Sequence, residues 1–138
     1  MIRVEPLSTT AWNDISENAH KVAFGTVKPA SLERIDFALM AVDSATDQPL
    51  GYVTCREHDA ETLYWQFGGA LPGTKGTIKS WRAYQEGLGW CEGRYKRVTT
   101  MIENTNLPML ELALKAGFLV NGIRYTADKI LVELVKEF

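Results

Sequence analysis

Pro72-Gly73-Thr74-Lys75-Gly76-Thr77 lies between a segment with strand character, Thr62 to Phe67, and a segment with helix character, Ile78 to Cys91. Two glycines allow the backbone of such a loop to bend so that successive N–H groups converge on one point. The first turn of a helix adds unpaired N–H groups and the positive end of a dipole. The stretch therefore predicts a strand–loop–helix unit that can hold a phosphate or pyrophosphate group.

This loop matches neither of the two common phosphate-binding patterns. It lacks the GxxxxGK[ST] spacing of a Walker loop, and no GxGxxG dinucleotide fingerprint occurs in the chain. A glycine-rich turn with no ligand therefore stands as the alternative interpretation.

Apolar periodicity outward from the loop predicts the other elements. Before the loop, the pattern predicts a short strand that ends at Pro6, a helix from Ala11 to Ala19, and a three-strand meander. After the loop helix come a strand, a second helix and two final strands. The predicted order is β-α-βββ-α-β-α-ββ, an α+β (mixed α/β) fold with helices packed on a central sheet. The predicted strands are Ile2–Pro6, Phe37–Val42, Gly51–Glu57, Thr62–Phe67 with Ala70-Leu71 at its far end, Arg97–Glu103, Leu119–Tyr125 and Lys129–Val135.

Composition limits the classes of protein that fit. The chain has 138 residues, so a single domain spanning 1–138 is expected. Its net charge of −2 makes bulk nucleic-acid binding unlikely. It contains no apolar run long enough to span a bilayer, and no signal-peptide core follows Met1, which predicts a cytoplasmic protein. Two cysteines and two histidines are too few and too scattered to indicate a metal site.

The segment from Asn106 to Phe118 reads NLPMLELALKAGF, with Asn106 as a helix cap and Gly117 as a helix stop. Together with the loop and the element order, it resembles the GNAT family of acyl-CoA-dependent N-acetyltransferases. The resemblance covers the chain from about Ile35 to Tyr125. It implies a mostly antiparallel central sheet, acetyl-CoA (coenzyme A) as co-substrate, and direct attack of an amine on the thioester.

The resemblance also assigns candidate residues to the cofactor. The backbone N–H groups of the loop would hold the coenzyme A pyrophosphate, and the backbone at Ala70 and Leu71 would pair with the pantetheine arm as an added strand. Asn106 would lie near the pantetheine. The loop residues in this set are Gly73, Thr74, Lys75, Gly76, Thr77 and Ile78.

The sequence departs from the family pattern at three places. When Gly76 is aligned with the first glycine of the family loop, Gly73 replaces a Gln or Arg, and Ile78 replaces a second small residue. Ala113 replaces the Tyr that protonates the leaving thiolate in many members, and alanine cannot donate a proton.

The third strand of the meander carries no carboxylate that could act as a general base. Glu103 is the best-placed acid for that role, and Tyr64 could supply a hydroxyl. Alternatively, Glu103 is a solvated strand-end acid and Tyr64 packs in the core.

Three hypotheses follow from these residues. The first is an active N-acetyltransferase that relies on positioning and on backbone N–H groups. The second is a GNAT-fold protein that has lost its chemistry and acts as an assembly or interaction module. A fainter resemblance, from Phe67 to Thr77 and at the final residues, to internal virion or scaffold proteins of short-tailed phages fits that hypothesis and makes virion association possible. The third is an unrelated ligand-binding α+β domain.

The last strand bears on the oligomeric state. Its apolar residues, Ile130-Leu131-Val132 with Leu134 and Val135, would favour aggregation if they formed an open sheet edge. A homodimer in which a second copy covers this edge is therefore a further expectation.

Overall fold

The computed structural model describes residues 1–12, 35–71, 73–74 and 76–138. In this part of the chain, seven strands and two helices follow one another in the predicted order. The strands are β1 (Ile2–Ser8), β2 (Phe37–Asp43), β3 (Pro49–Glu57), β4 (Thr62–Ala70), β5 (Arg97–Glu103), β6 (Leu119–Tyr125) and β7 (Ile130–Glu137). The helices are α1 (Ile78–Cys91) and α2 (Leu107–Lys115).

All seven strands form one sheet in the order β1-β2-β3-β4-β5-β7-β6. Every neighbouring pair is antiparallel except β4 and β5, which are parallel. This mixed α/β architecture with a mostly antiparallel sheet confirms the predicted fold class. No helix in the described ranges is long and apolar enough to cross a membrane.

The sheet buries apolar side chains on both faces. On one face, α1 and α2 pack over a cluster that includes Leu63, Trp65 and Phe118. On the other face, Trp12 and Ile35 cover Met40 and Tyr52, and Trp12 stacks on Tyr52 with 4.8 Å between ring centroids. Strand residues alternate between the two clusters, as the pleat of a sheet requires.

The contact between α1 and β4 gives a reason for the glycine at position 87, inside the helix. A Cβ atom on Gly87 would lie 3.3 Å from the indole ring of Trp65, so a larger residue would require the ring or the helix to shift by a few tenths of an ångström. Because α1 follows β4 and packs back against it, this contact fixes how the two elements are aligned.

Several boundaries differ from the sequence predictions. Strand β1 does not end at Pro6 but continues to Ser8. It is an edge strand, where a missing N–H group is tolerated. Strand β4 extends through Gly68 and Gly69 to Ala70. The helix predicted from Ala11 falls mostly outside the described residues, although residues 9–12 are helical and the Ser8 hydroxyl accepts a hydrogen bond from Ala11 N.

The expectation of an open edge at the last strand is wrong. Strand β7 inserts between β5 and β6 and pairs with both, so its backbone is covered on each side. The open edge on this side of the sheet is β6. Pattern alone could not reveal this, because both segments read as apolar strands.

Candidate functional site

The sheet splits between β4 and β5. Their parallel pairing runs only from Thr62 opposite Arg97 to Trp65 opposite Thr100. Beyond that point β4 continues to Ala70 along β3, and β5 continues to Glu103 along β7. A notch therefore opens between the carboxyl-terminal ends of two central strands, where ligands commonly bind in open sheets.

A bulge in β4 lies at the apex of the notch, the point where the pairing of β4 with β5 ends. In the pairing of β3 with β4, Thr54 lies opposite Phe67 and Cys55 opposite Trp65, which makes Gln66 an extra residue on β4. Such a bulge bends its strand and increases the local twist. On the other side of the apex, the Thr100 hydroxyl donates to the Trp65 carbonyl across 3.0 Å and closes the last pair.

Beyond the apex, the edge of β4 that faces β5 is available for pairing. Gly68 is solvent-exposed although β4 is a central strand. The N–H of Leu71 donates to Leu50 O on β3, so by the alternation of a strand the groups of Gly69 also face β3. The backbone groups of Gly68 and Ala70 consequently face the notch.

This geometry narrows the predicted pantetheine partners. Because Leu71 is buried and its N–H is already bonded to β3, the residues of β4 that remain for strand addition are Ala70 and Gly68. Gly68 is a residue that sequence reasoning missed. Its signal in the sequence is the Gly68-Gly69 pair at the end of a buried strand.

The loop at the open end of the notch has two left-handed glycines. Gly73 has φ 81° and Gly76 has φ 75°, and both are solvent-exposed. A Cβ atom at either position would meet nothing within 4 Å, so glycine is favoured here by backbone conformation and not by crowding. Pro72 and Lys75 lie outside the described residues.

Two of the predicted loop amides are used within the loop itself. Thr74 N donates to Leu71 O and Thr77 N donates to Thr74 O, each across 3.1 Å. The Thr74 side chain is buried, and its hydroxyl lies 2.8 Å from Leu50 O and 2.5 Å from Leu71 O. Thr74 therefore anchors the loop to the sheet, and its groups do not face a ligand.

The remaining donors lie at the start of α1. Thr77 is the N-cap, and its hydroxyl oxygen accepts a hydrogen bond from Ser80 N. The N–H groups of Gly76, Ile78 and Lys79 have no acceptor among the described residues. Ile78 is 64% exposed, so its side chain projects away from the core. These amides form a compact set of donors at the positive end of a 14-residue helix.

On the β5 side of the notch, Asn106 caps α2. Its Oδ1 accepts a hydrogen bond from Met109 N at 3.4 Å, and its own N–H donates to Glu103 O. Glu103 ends β5 and is exposed. Asn106 thus has a structural role that leaves its side-chain Nδ2 group as a donor.

The two predicted catalytic residues are not brought together. Tyr64 lies opposite Thr99, before the split, whereas Glu103 is four residues further along β5. Four strand residues span about 13 Å, so Tyr64 lies below the apex and Glu103 at the rim. Tyr64 is half-buried, and burial raises the pKa of its hydroxyl, while nearby Arg124 and Arg56 act in the opposite direction.

An ion pair that sequence reasoning missed lies on the same face as Tyr64. Glu133 of β7 is in register with Met101 of β5, and its Oε1 lies 3.3 Å from Arg124 Nε. Both groups act electrostatically on Tyr64. No sequence motif indicates this pair, because it depends on the insertion of β7 between β5 and β6.

Ala113 and the thiols offer no proton chemistry at the surface of the notch. Ala113 is completely buried in the cluster beneath α2. Burial raises the pKa of Cys91 to about 12, and it also raises the pKa of Cys55. In the part of the chain that the structure describes, no three His, Cys, Asp or Glu side chains are grouped to bind a metal ion.

Comparison with solved structures places this geometry in a known fold. An acetyltransferase of the GNAT family from Elizabethkingia anophelis with acetyl-CoA bound superposes with a TM-score of 0.79 at 14% identity, covering 99% of this chain and 98% of that one. An IAA acetyltransferase from Bacillus cereus gives a TM-score of 0.78 at 13% identity over 100% of both chains. The chain has the GNAT fold.

The ribosomal-protein-S18-alanine N-acetyltransferase from Escherichia coli is also similar, with a TM-score of 0.77 and 12% identity over 99% of this chain and 94% of that one. No protein-family model matches the chain, and neither does any curated protein sequence. The similarity therefore lies in the fold, at sequence identities too low to transfer an activity. The site residues have to carry the functional argument.

Proposed function

We propose that this protein binds acetyl-CoA in the notch between β4 and β5 and transfers the acetyl group to an amine. The observation that carries the proposal is the coincidence of three features at one place. These are a split in the sheet, a β4 edge whose backbone groups face the gap, and N–H groups around the start of α1 that bond to no described residue, at its open end. Solved GNAT-fold structures with acetyl-CoA bound support it.

The residues present suit an acyl-CoA chemically. The N–H groups of Gly76, Ile78 and Lys79 would hold the pyrophosphate, and the backbone of Gly68 and Ala70 would pair with the amides of the pantetheine arm. The thioester would then lie towards Trp65, at the apex. Bound acetyl-CoA supplies an activated acyl group, and the chain supplies orientation and backbone hydrogen bonds.

The acceptor amine would approach from the opposite face of the sheet. That face presents Tyr64, Glu133 and Arg124, whereas α1 and α2 cover the other. Glu103, at the rim, would accept a proton from the incoming amine directly or through water. As Ala113 carries no hydroxyl, α2 offers no proton donor for the departing thiolate at this position.

The alternative, a GNAT-fold interaction module, draws on a different surface. Several large apolar side chains are exposed on α2 and on the edge strand β6: Leu107, Leu114, Leu119, Val120, Ile123 and Tyr125. Such a strip on an open strand is typical of a surface that pairs with another chain. We propose a second copy of this chain as the partner for this surface. The proposal is the same for a protein in the cytoplasm and for one in a virion.

Isothermal titration of acetyl-CoA, with free coenzyme A in parallel, tests the proposed function. We expect micromolar binding by the unmodified protein. Gly76→Asp should weaken it at least tenfold, because a carboxylate would then face the pyrophosphate.

Gly93→Asp is the matched control for this experiment. Gly93 also has a left-handed φ (86°), with open space where a Cβ atom would lie, but it follows the other end of α1. Its substitution should leave the affinity unchanged. Equal affinities for all three proteins would contradict the assignment of this loop to the pyrophosphate, and no binding at millimolar ligand would leave the interaction module as the function.

A further inference from the structure

Tyr84 of α1 has a hydroxyl group with no hydrogen-bond partner. Its Oη atom is buried, and no donor or acceptor reaches it among the described residues. A buried hydroxyl without a partner costs about 1–3 kcal/mol, so few are retained without a reason. Phenylalanine would fill the same space without that cost.

The packing of Tyr84 places it beside the apex of the notch. Its ring meets the Trp65 ring edge-on, with 5.5 Å between centroids and 88° between planes. On its other side lies Phe118, which follows α2, with centroids 6.3 Å apart. The ring therefore lies between the last β4 residue that pairs with β5 and the segment that leads into β6.

The direction of α1 determines which part of β4 Tyr84 lies next to. Gly87 packs on the Trp65 ring, and Tyr84 is three residues closer to the start of α1, a distance of about 4.5 Å. Because α1 packs back along β4, that displacement leads towards the part of β4 that β5 no longer pairs. Gly68 lies there, and a Cβ atom on it would contact Val53, a residue of the same sheet face as Tyr84.

The geometry points to Tyr84 as a ligand-binding residue, whose hydroxyl donates a hydrogen bond to the acyl-thioester end of the cofactor in the notch. This inference rests on the proposed function and adds to it a residue of α1 that no motif indicates. Burial raises the pKa of Tyr84, which keeps the hydroxyl protonated at neutral pH and therefore able to donate.

Tyr84→Phe removes only the oxygen atom and keeps the ring contacts. Tyr52→Phe is its matched control, because the Tyr52 hydroxyl is also buried without a partner among the described residues but lies in the cluster on the opposite face of the sheet. Without ligand, both variants should unfold at the same temperature as the unmodified protein or a higher one. We expect Tyr84→Phe to weaken acetyl-CoA binding about five- to tenfold, the effect of one lost hydrogen bond, and Tyr52→Phe to leave it unchanged.

Titration of each variant with acetyl-CoA and with free coenzyme A separates the outcomes. A larger loss for acetyl-CoA than for coenzyme A would support contact at the acyl group. Binding by Tyr84→Phe within twofold of the unmodified protein, or an equal loss in Tyr52→Phe, would overturn the inference and leave the proposed function intact. Absence of acetyl-CoA binding by the unmodified protein would remove both.

Discussion

Thr74 shows how a single hydroxyl can set the geometry of a loop. It is 2% exposed, and its hydroxyl reaches carbonyl oxygens of both Leu50 and Leu71. Leu50 lies at the start of β3, and Leu71 directly follows the end of β4. The loop glycines can therefore turn outward only because Thr74 holds the loop base against the sheet.

Thr74→Val tests this anchor. Valine keeps the shape of the side chain but cannot donate, so the one hydroxyl proton shared by Leu50 O and Leu71 O is lost, while each carbonyl keeps a backbone N–H donor. We expect the free energy of unfolding, measured by urea denaturation, to fall by about 0.5–1.5 kcal/mol, the net value of one hydrogen bond. Thr105→Val, at an exposed turn position, should change it by less than about 0.5 kcal/mol. Equal effects of the two substitutions would contradict the anchoring role.

At the scale of elements, strand β6 combines an edge position with exposed apolar side chains. Within the described residues it pairs with β7 and with no other strand. A bulge interrupts that pairing between Val120 and Gly122, and Arg124 carries the strand's only charge. Val120 and Ile123 lie opposite Leu134 and Val132, which belong to the cluster under the helices, so they extend that apolar face into solvent.

We expect β6 to mediate self-association through this exposed strip. Light scattering after size exclusion should show a dimer for the unmodified protein and a monomer for the double variant Val120→Lys with Ile123→Lys, because charges on the strip oppose pairing. Ile78→Lys is a control at an equally exposed apolar residue on α1, and it should remain dimeric. A strict monomer before any substitution would contradict the expectation.

The elements were largely predictable because each depends on local patterns. Alternation predicts β2 and β5, and the cap and stop residues Asn106 and Gly117 define α2. The notch was harder to predict from the sequence, since it depends on where one strand stops pairing with another strand 35 residues away. The roles of Gly68, Tyr84 and Glu133 follow from that long-range arrangement, and no local spacing encodes them.

At the scale of the whole molecule, burial keeps several weak acids neutral. It raises the pKa of Cys91 to about 12, and it raises the pKa values of Cys55, Tyr52 and Tyr84. In the unfolded chain, thiols ionise near pH 8.5 and phenols near pH 10. The unfolded state therefore releases these protons at lower pH than the folded state.

The stability that these groups contribute should accordingly be constant below about pH 8 and fall as the pH rises from about 9 towards 12. The sign follows because deprotonation stabilises only the unfolded chain in that range, at up to about 1.4 kcal/mol per pH unit for each group. Urea unfolding at pH 7.5, 9 and 10.5 measures it, and Cys91→Ala should reduce the slope. An unfolding free energy that does not change up to pH 10.5 would show that these groups are not held neutral.

The short parallel ladder of β4 with β5 has a mechanical consequence. Strands β1 to β4 form one antiparallel half and β5 to β7 the other, and only four residue pairs join the two halves within the sheet. The sheet thus has a narrow seam at its centre, with α1 and α2 bridging it from one face. A ligand that pairs with β4 in the notch would add contacts beyond this seam, so its binding would restrict the motion of one half of the sheet relative to the other.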